Sequence, residues 1–226
     1  MTPAPADSAP WSDTAQPYAE ALRTGRGPLF LRRADGWLLP LDVERWCGLP
    51  DAADWSVLSR CAGSVLDIGC GPGRLVAALA QLGRPALGID VSAVAVARTQ
   101  ATGASALRRS VFDPLPGEGR WGTTLLMDGN IGIGGDPAAL LARAAGLVGP
   151  GGRCLVEVLS YDVDERVRVH VSDGSGADAR GPSFPWARVG AAALVRYAVE
   201  AGWVSPAGWS WTSGARSFVG LRRDGG

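Results

Sequence analysis

The chain has 226 residues, 46% of them hydrophobic, with 22 basic side chains against 22 acidic ones. That is the balance of an ordinary soluble protein of about one domain, with no charge excess that would draw it to nucleic acid. All 22 basic residues are arginine, which excludes a phosphate-cradling P-loop lysine and a Schiff-base lysine, and no stretch approaches the roughly 20 apolar residues that span a bilayer.

Residues 1–16 are rich in proline, alanine, serine and aspartate, with neither a basic start nor an apolar stretch, and read as a disordered tail rather than a signal peptide. Residues 17–60 read as an N-terminal cap. Tyr18 to Leu22 begin a helical pattern, and 28–40 reads as two short strands around an Asp35-Gly36 turn, with short helices expected at 42–45 and 53–60. The cysteines Cys47, Cys61, Cys70 and Cys154 form no C-x-x-C pair and the chain has one histidine, so no metal site is expected and a reducing cytosol is the natural compartment.

From residue 61 to the end the pattern is that of an α/β domain, a Rossmann-like doubly wound sheet. Strands are expected at 64–68, 86–90, 106–111, 122–128 and 153–159, with helices between them and Pro137 in the first turn of one. Val65 to Ile68 is the apolar run of a buried strand; Gly69, Gly71 and Gly73 follow it, and then Leu75, Val76, Leu79 and Leu82 recur with helical spacing. A second strand ends in Asp90, placed to hydrogen-bond a ribose diol beside the glycine turn. The dinucleotide pattern G-x-G-x-x-G/A fails, because counting from Gly69 puts Arg74 in the sixth place and counting from Gly71 puts Val76 there.

The run Asp67-Ile68-Gly69-Cys70-Gly71-Pro72-Gly73-Arg74 instead resembles the first motif of the class I S-adenosylmethionine-dependent methyltransferases. Asp90, Ser110 to Asp113 and Leu147 to Arg153 match that family in order and approximate spacing, so the resemblance covers about residues 60 to 160. It implies the strand order 3-2-1-4-5-7-6 with the last strand antiparallel, S-adenosyl-L-methionine as cofactor, and methyl transfer by direct displacement to a small-molecule acceptor.

The implied cofactor residues are Asp67 for the ammonium group, Gly69, Gly71 and Gly73 for close backbone approach, and Asp90 for the ribose hydroxyls. Val91 and Phe112 would sandwich adenine, with Asp113 accepting from its amine. Asp128 and Asn130, in the loop after the fourth strand, would hold the cofactor's amino-acid end or the acceptor. Other roles stay open for these residues: Asp67 bracing the loop, Asp90 capping the next helix, Phe112 in the core, Asp113 in a turn before Pro114.

Residues 161–188 form an insertion after strand 5, in which 166–171 alternate as a half-buried strand and 172–176 turn. A helix over 189–201, stopped by Gly202, and a closing pair of strands over 203–211 and 215–221 complete the chain. Acceptor recognition is expected from cap and insertion, through Arg45, Trp46 and Trp186. His170 is the weak candidate for a catalytic base, sharing a face with Arg166 and Arg168 that equally suits plain solvent. Two other functions fit less well: an NAD(P)-dependent oxidoreductase, and a non-catalytic S-adenosylmethionine-binding module. A monomer or homodimer with no nucleic-acid or membrane partner is expected.

Overall fold

The computed structural model describes residues 16–175 and 182–224. The tail expected over 1–16 lies outside them except for Gln16, which opens helix α1 (Gln16–Thr24). Gly176, the last residue of the expected turn, is also outside.

The central sheet is built on β3 (Val65–Ile68), all four of whose residues are buried. It pairs in parallel with β4 (Ala86–Asp90) on one side and β6 (Trp121–Leu126) on the other. β5 (Ala106–Arg108) extends the β4 edge and β7 (Val148–Val158) the β6 edge, both in parallel. β12 (Arg216–Arg223) then runs antiparallel to β7, and its outer side is shared by β10 (Trp203–Val204) and β11 (Ser210–Ser213). Leaving β11 aside, the strands numbered along the chain stand in the order 3-2-1-4-5-7-6, as the resemblance implies.

The apolar runs have no polar face because both faces of the sheet are covered. Val65, Leu125 and Leu155 point to the side of α3 (Ala52–Leu58) and α4 (Arg74–Gln81). Their neighbours Leu66, Leu126 and Val156 point to the side of α6 (Pro137–Leu147) and α7 (Ala191–Glu200). Asp136 caps α6 and Pro137 opens it.

Several boundaries differ from the sequence expectation for local reasons. The third strand stops at Arg108 because the Asp113 carboxylate accepts from the Ser110 amide and Ser110 Oγ from the Phe112 amide, folding the segment into a turn. No helix fills 109–120, where Pro114, Pro116, Gly117 and Gly119 break the pattern. The fourth strand ends before Asp128, which takes a left-handed φ of 56°. Val189 belongs to a strand rather than to α7, and the first of the two closing strands is split by the turn between β10 and β11.

The cap and the insertion, read from sequence as separate coverings, form one antiparallel sheet. β1 (Phe30–Arg33) pairs with β2 (Leu38–Pro40) on one side and with β8 (Asp164–Ser172) on the other, and β8 pairs with β9 (Phe184–Val189). One face of this sheet packs Leu31, Val169, Val171, Phe184 and Trp186 against Tyr18 and Leu22 of α1 and against α2 (Val43–Cys47). β9 is pressed onto the 3-10 turn Asn130–Gly135 so closely that a Cβ on Gly132 would stand 2.4 Å from the Ala187 carbonyl. The glycines of that turn are therefore what lets the cap sit on the ends of β6 and β7. Among the described residues no helix is long and apolar enough to cross a membrane.

Candidate active site

The glycine loop leaves β3 at the sheet's carboxyl edge, where ligands bind in open α/β sheets. Gly71 has a φ of +54°, and a Cβ there would meet nothing within 4 Å, so the backbone is bare where it faces the cavity. Its amide donates to Asp90 Oδ2 at 2.9 Å, while the Ser92 amide donates to Oδ1 at 2.9 Å. Asp90 is thereby held in one orientation at the tip of β4, each oxygen keeping further acceptor capacity. Burial raises its pKa, partly offset by those backbone donors. The helix-capping role falls to Ser92, whose Oγ accepts from the Ala95 amide.

A cavity runs along this edge. Its wall includes Gly69, Gly71, Asp90, Val91, Asp128 and Asn130, six of the ten residues expected at the cofactor. The other four are not in that wall. Gly73 lies against Thr99, the Phe112 ring packs against Gly134, and Asp113 is committed to the Ser110 amide. Asp67 is buried beneath the loop, and burial lifts its carboxyl to about 7, Arg74 opposing while the charges of Asp128, Asp90 and Asp54 add to the rise. Asn130 fastens the loop, its Nδ2 donating to the Ile68 and Gly69 carbonyls at 2.9 Å each.

Under the cavity lies an ion network that only tertiary structure assembles. Asp51 and Asp54 form a capping box at the start of α3, which turns the Asp54 carboxylate inward. Arg74 grips Asp54 through Nε and Nη2 at 2.8 and 2.9 Å, and Asp128 through Nη1 at 2.7 Å. Arg45 reaches Asp128 at 2.6 Å. Arg216 joins Asp54 at 2.8 Å to Glu157 at 2.7 Å, and Glu157 in turn accepts from the Asp128 amide. Burial alone would raise Asp54, but the bonds from Arg74 and Arg216 outweigh it and hold the carboxyl at about 2. Asp128 is likewise held below the usual carboxylate range by three guanidinium groups, which also fix its left-handed backbone.

A second cavity adjoins the first. Its wall holds Leu39, Pro40, Arg45, Ile131, Glu157, Val158, Leu159 and Arg188, and it shares Leu41, Trp46, Asp128 and Trp186 with the first. All three residues expected at the acceptor, Arg45, Trp46 and Trp186, are in this wall. His170 is in neither wall: it stands opposite Arg32 on β8, on the face of the cap sheet that carries the exposed Arg166 and Arg168.

Sequence reading missed Tyr18, Arg109 and Ser110 in the first wall, Arg188 in the second, and Arg74, Asp54, Glu157 and Arg216 in the network. Glu157 had a signal, an acid in the otherwise apolar run 154–159, the same argument that singled out Asp90. Arg74, directly after the loop, had position alone.

A family model described as a methyltransferase domain matches residues 51–204. No curated protein matches the chain. Among solved structures, a SAM-dependent methyltransferase from Bacteroides fragilis in complex with S-adenosyl-L-homocysteine superposes with a TM-score of 0.74 at 18% identity, over 99% of this chain and 98% of that one. The 1,6-didemethyltoxoflavin-N1-methyltransferase of Burkholderia thailandensis gives 0.56 at 18% identity over 76% and 79%. The CcbJ methyltransferase of Streptomyces caelestis gives 0.58 at 17% over 80% and 92%.

Proposed function

The chain belongs to the methyltransferase-domain family, and we propose that it is an S-adenosylmethionine-dependent methyltransferase whose acceptor is a small molecule seated in the second cavity. The observation that supports this reading is that Leu41, Trp46, Asp128 and Trp186 line both cavities, so a ligand in either would lie against the same four residues. The cofactor, when bound, supplies an electrophilic methyl group that the acceptor takes by direct displacement.

On this reading Asp90 receives the ribose hydroxyls, with both carboxylate oxygens already aimed by backbone amides, and Gly69 and Gly71 line the path of the chain against the ligand. Val91 and Ser110 bound the adenine end. Asp67 backs the loop from beneath, and Asn130 keeps the loop in place. Trp46 and Trp186 offer aromatic surface at the junction, which suits a positively charged sulfur and keeps water away. Asp128 and Glu157 are committed to arginines, so they position side chains. The protein's contribution is then alignment.

The balanced charge and the alanine, glycine and arginine richness of a lysine-free chain support a cytosolic bacterial enzyme, monomeric or homodimeric, acting on a dissolved acceptor. The test is to supply methyl-labelled S-adenosylmethionine with a panel of small heteroaromatic compounds, a protein extract and an oligonucleotide. Label should pass to a small molecule. Transfer only to protein or nucleic acid would overturn the reading.

A further inference from the structure

Four charged side chains belong to the wall of the first cavity, Arg74, Asp90, Arg109 and Asp128, and three of them are engaged. Arg74 and Asp128 are bound into the ion network, and Asp90 accepts from two backbone amides. Arg109 is exposed, and its guanidinium makes one long contact, Nη1 to the Arg108 carbonyl at 3.4 Å, with no ion pair among the described residues. Its backbone is fixed nonetheless. The Arg109 amide donates to the Asp90 carbonyl at 3.0 Å, one residue past the register pair of Asp90 and Arg108 that joins β4 to β5, so the side chain is rooted beside the acid at the tip of β4.

On the proposed function, two points fix the direction of the cofactor along this cavity. Asp90 takes the ribose diol, and the methyl group faces the residues shared with the second cavity, Leu41, Trp46, Asp128 and Trp186. The base is joined to the ribose carbon next to the diol, away from the chain that carries the sulfur. It then lies against wall residues that the second cavity does not share, those just past the tips of β4 and β5: Val91, Arg109, Ser110 and Val111. Of the two side chains expected to enclose the base, Val91 is there, whereas Phe112 is not in the wall and its ring packs against Gly134. A guanidinium is planar, more weakly hydrated than an ammonium, and stacks on aromatic faces.

Resting on the reading that this cavity holds S-adenosylmethionine, we infer that the Arg109 guanidinium lies flat on the adenine ring and covers the face where the Phe112 ring was expected. Arg109 breaks no ion pair to do so. The cofactor's carboxylate, the other group a guanidinium would seek, belongs to the amino-acid end on the far side of the sulfur, away from Arg109.

The test is calorimetric titration of two ligands into the full chain and three variants: S-adenosylhomocysteine, and 5′-methylthioadenosine, which keeps base and ribose but lacks the amino-acid end. Arg109→Ala should weaken both ligands by about the same factor, about five- to tenfold, the contribution of one stacked base face. Arg109→Lys keeps the charge without the plane and should stay at least about threefold weaker than the wild type for both. Arg109 is exposed and makes no ion pair among the described residues, so both variants fold as the wild type does, which their urea midpoints check. Wild-type affinity within about twofold in Arg109→Ala, or full recovery in Arg109→Lys, overturns the inference. So does a loss confined to S-adenosylhomocysteine, which would put Arg109 on the carboxylate. Asp90→Ala separates this contact from the cofactor reading. If Asp90→Ala weakens both ligands and Arg109→Ala neither, the ribose site stands and the contact on the base is wrong; if the wild type binds neither ligand, the cofactor reading itself is wrong.

Discussion

The two cavities meet at one wall yet are built in opposite ways. The first is made mostly by neighbours in sequence: the loop 69–73, the tip of β4 at Asp90 and the turn after β5 all follow directly from parallel strands. The second draws on β2, α2, the ends of β6 and β7, and β9, from residue 39 to residue 189. On the proposed function, the cofactor lies against a short motif, whereas the acceptor lies under a separate sheet laid over that motif.

Arg74 is where the two halves are fastened, since it belongs to the first cavity's wall and ties Asp54 to Asp128. Arg74→Ala leaves both carboxylates short of a partner and should destabilise the fold by about 3–5 kcal/mol in urea denaturation. A loss under about 1 kcal/mol would mean that Arg45 and Arg216 suffice and that the halves are independent.

Asp67, beneath the first cavity, makes stability depend on pH. Its folded pKa of about 7 lies above the unfolded 3.8, so the folded state holds the proton more tightly. Stability should therefore fall as pH rises from about 4 to about 7, by at most about 4 kcal/mol at about 1.4 kcal/mol per unit. Asp90, raised in the same sense, adds to the slope. Asp54, held at about 2, acts oppositely: its stabilisation is present above pH 4 and is lost as pH falls toward 2. Asp67→Asn should flatten the upper slope in denaturation curves taken across that range; an unchanged slope would show that the carboxylate is not desolvated.

The smallest effect is expected at His170. It lies outside both walls, so His170→Ala should leave kcat/KM within about twofold and its pH profile unmoved. A shifted profile would bring the outer face of the cap sheet into the chemistry.

The parallel strands, their order and the glycine loop could be read in the sequence because each is signalled by a contiguous run: Val65 to Ile68 has no polar face and Asp90 ends a strand with no partner of its own. The pairing of β1 with β8 could not, because it joins Leu31 to Val171 and nothing near either residue encodes the other. Trp46 and Trp186 were legible as candidates by composition, yet their convergence on one wall depends on Gly132 letting β9 approach. Phe112 and Asp113 match the family's spacing, while the turn made by Ser110 and Asp113 puts Arg109 and Ser110 in the wall, which no local pattern signalled.

On the proposed function the first cavity holds the cofactor and the second the acceptor. Calorimetric titration of S-adenosylhomocysteine into Asp90→Ala and Arg188→Lys separates the two. Loss of one or two charge-assisted bonds at Asp90 should weaken binding by about ten- to a hundredfold, while Arg188→Lys binds within about twofold of the wild type. Equal losses in the two variants, or wild-type affinity in Asp90→Ala, would contradict the division.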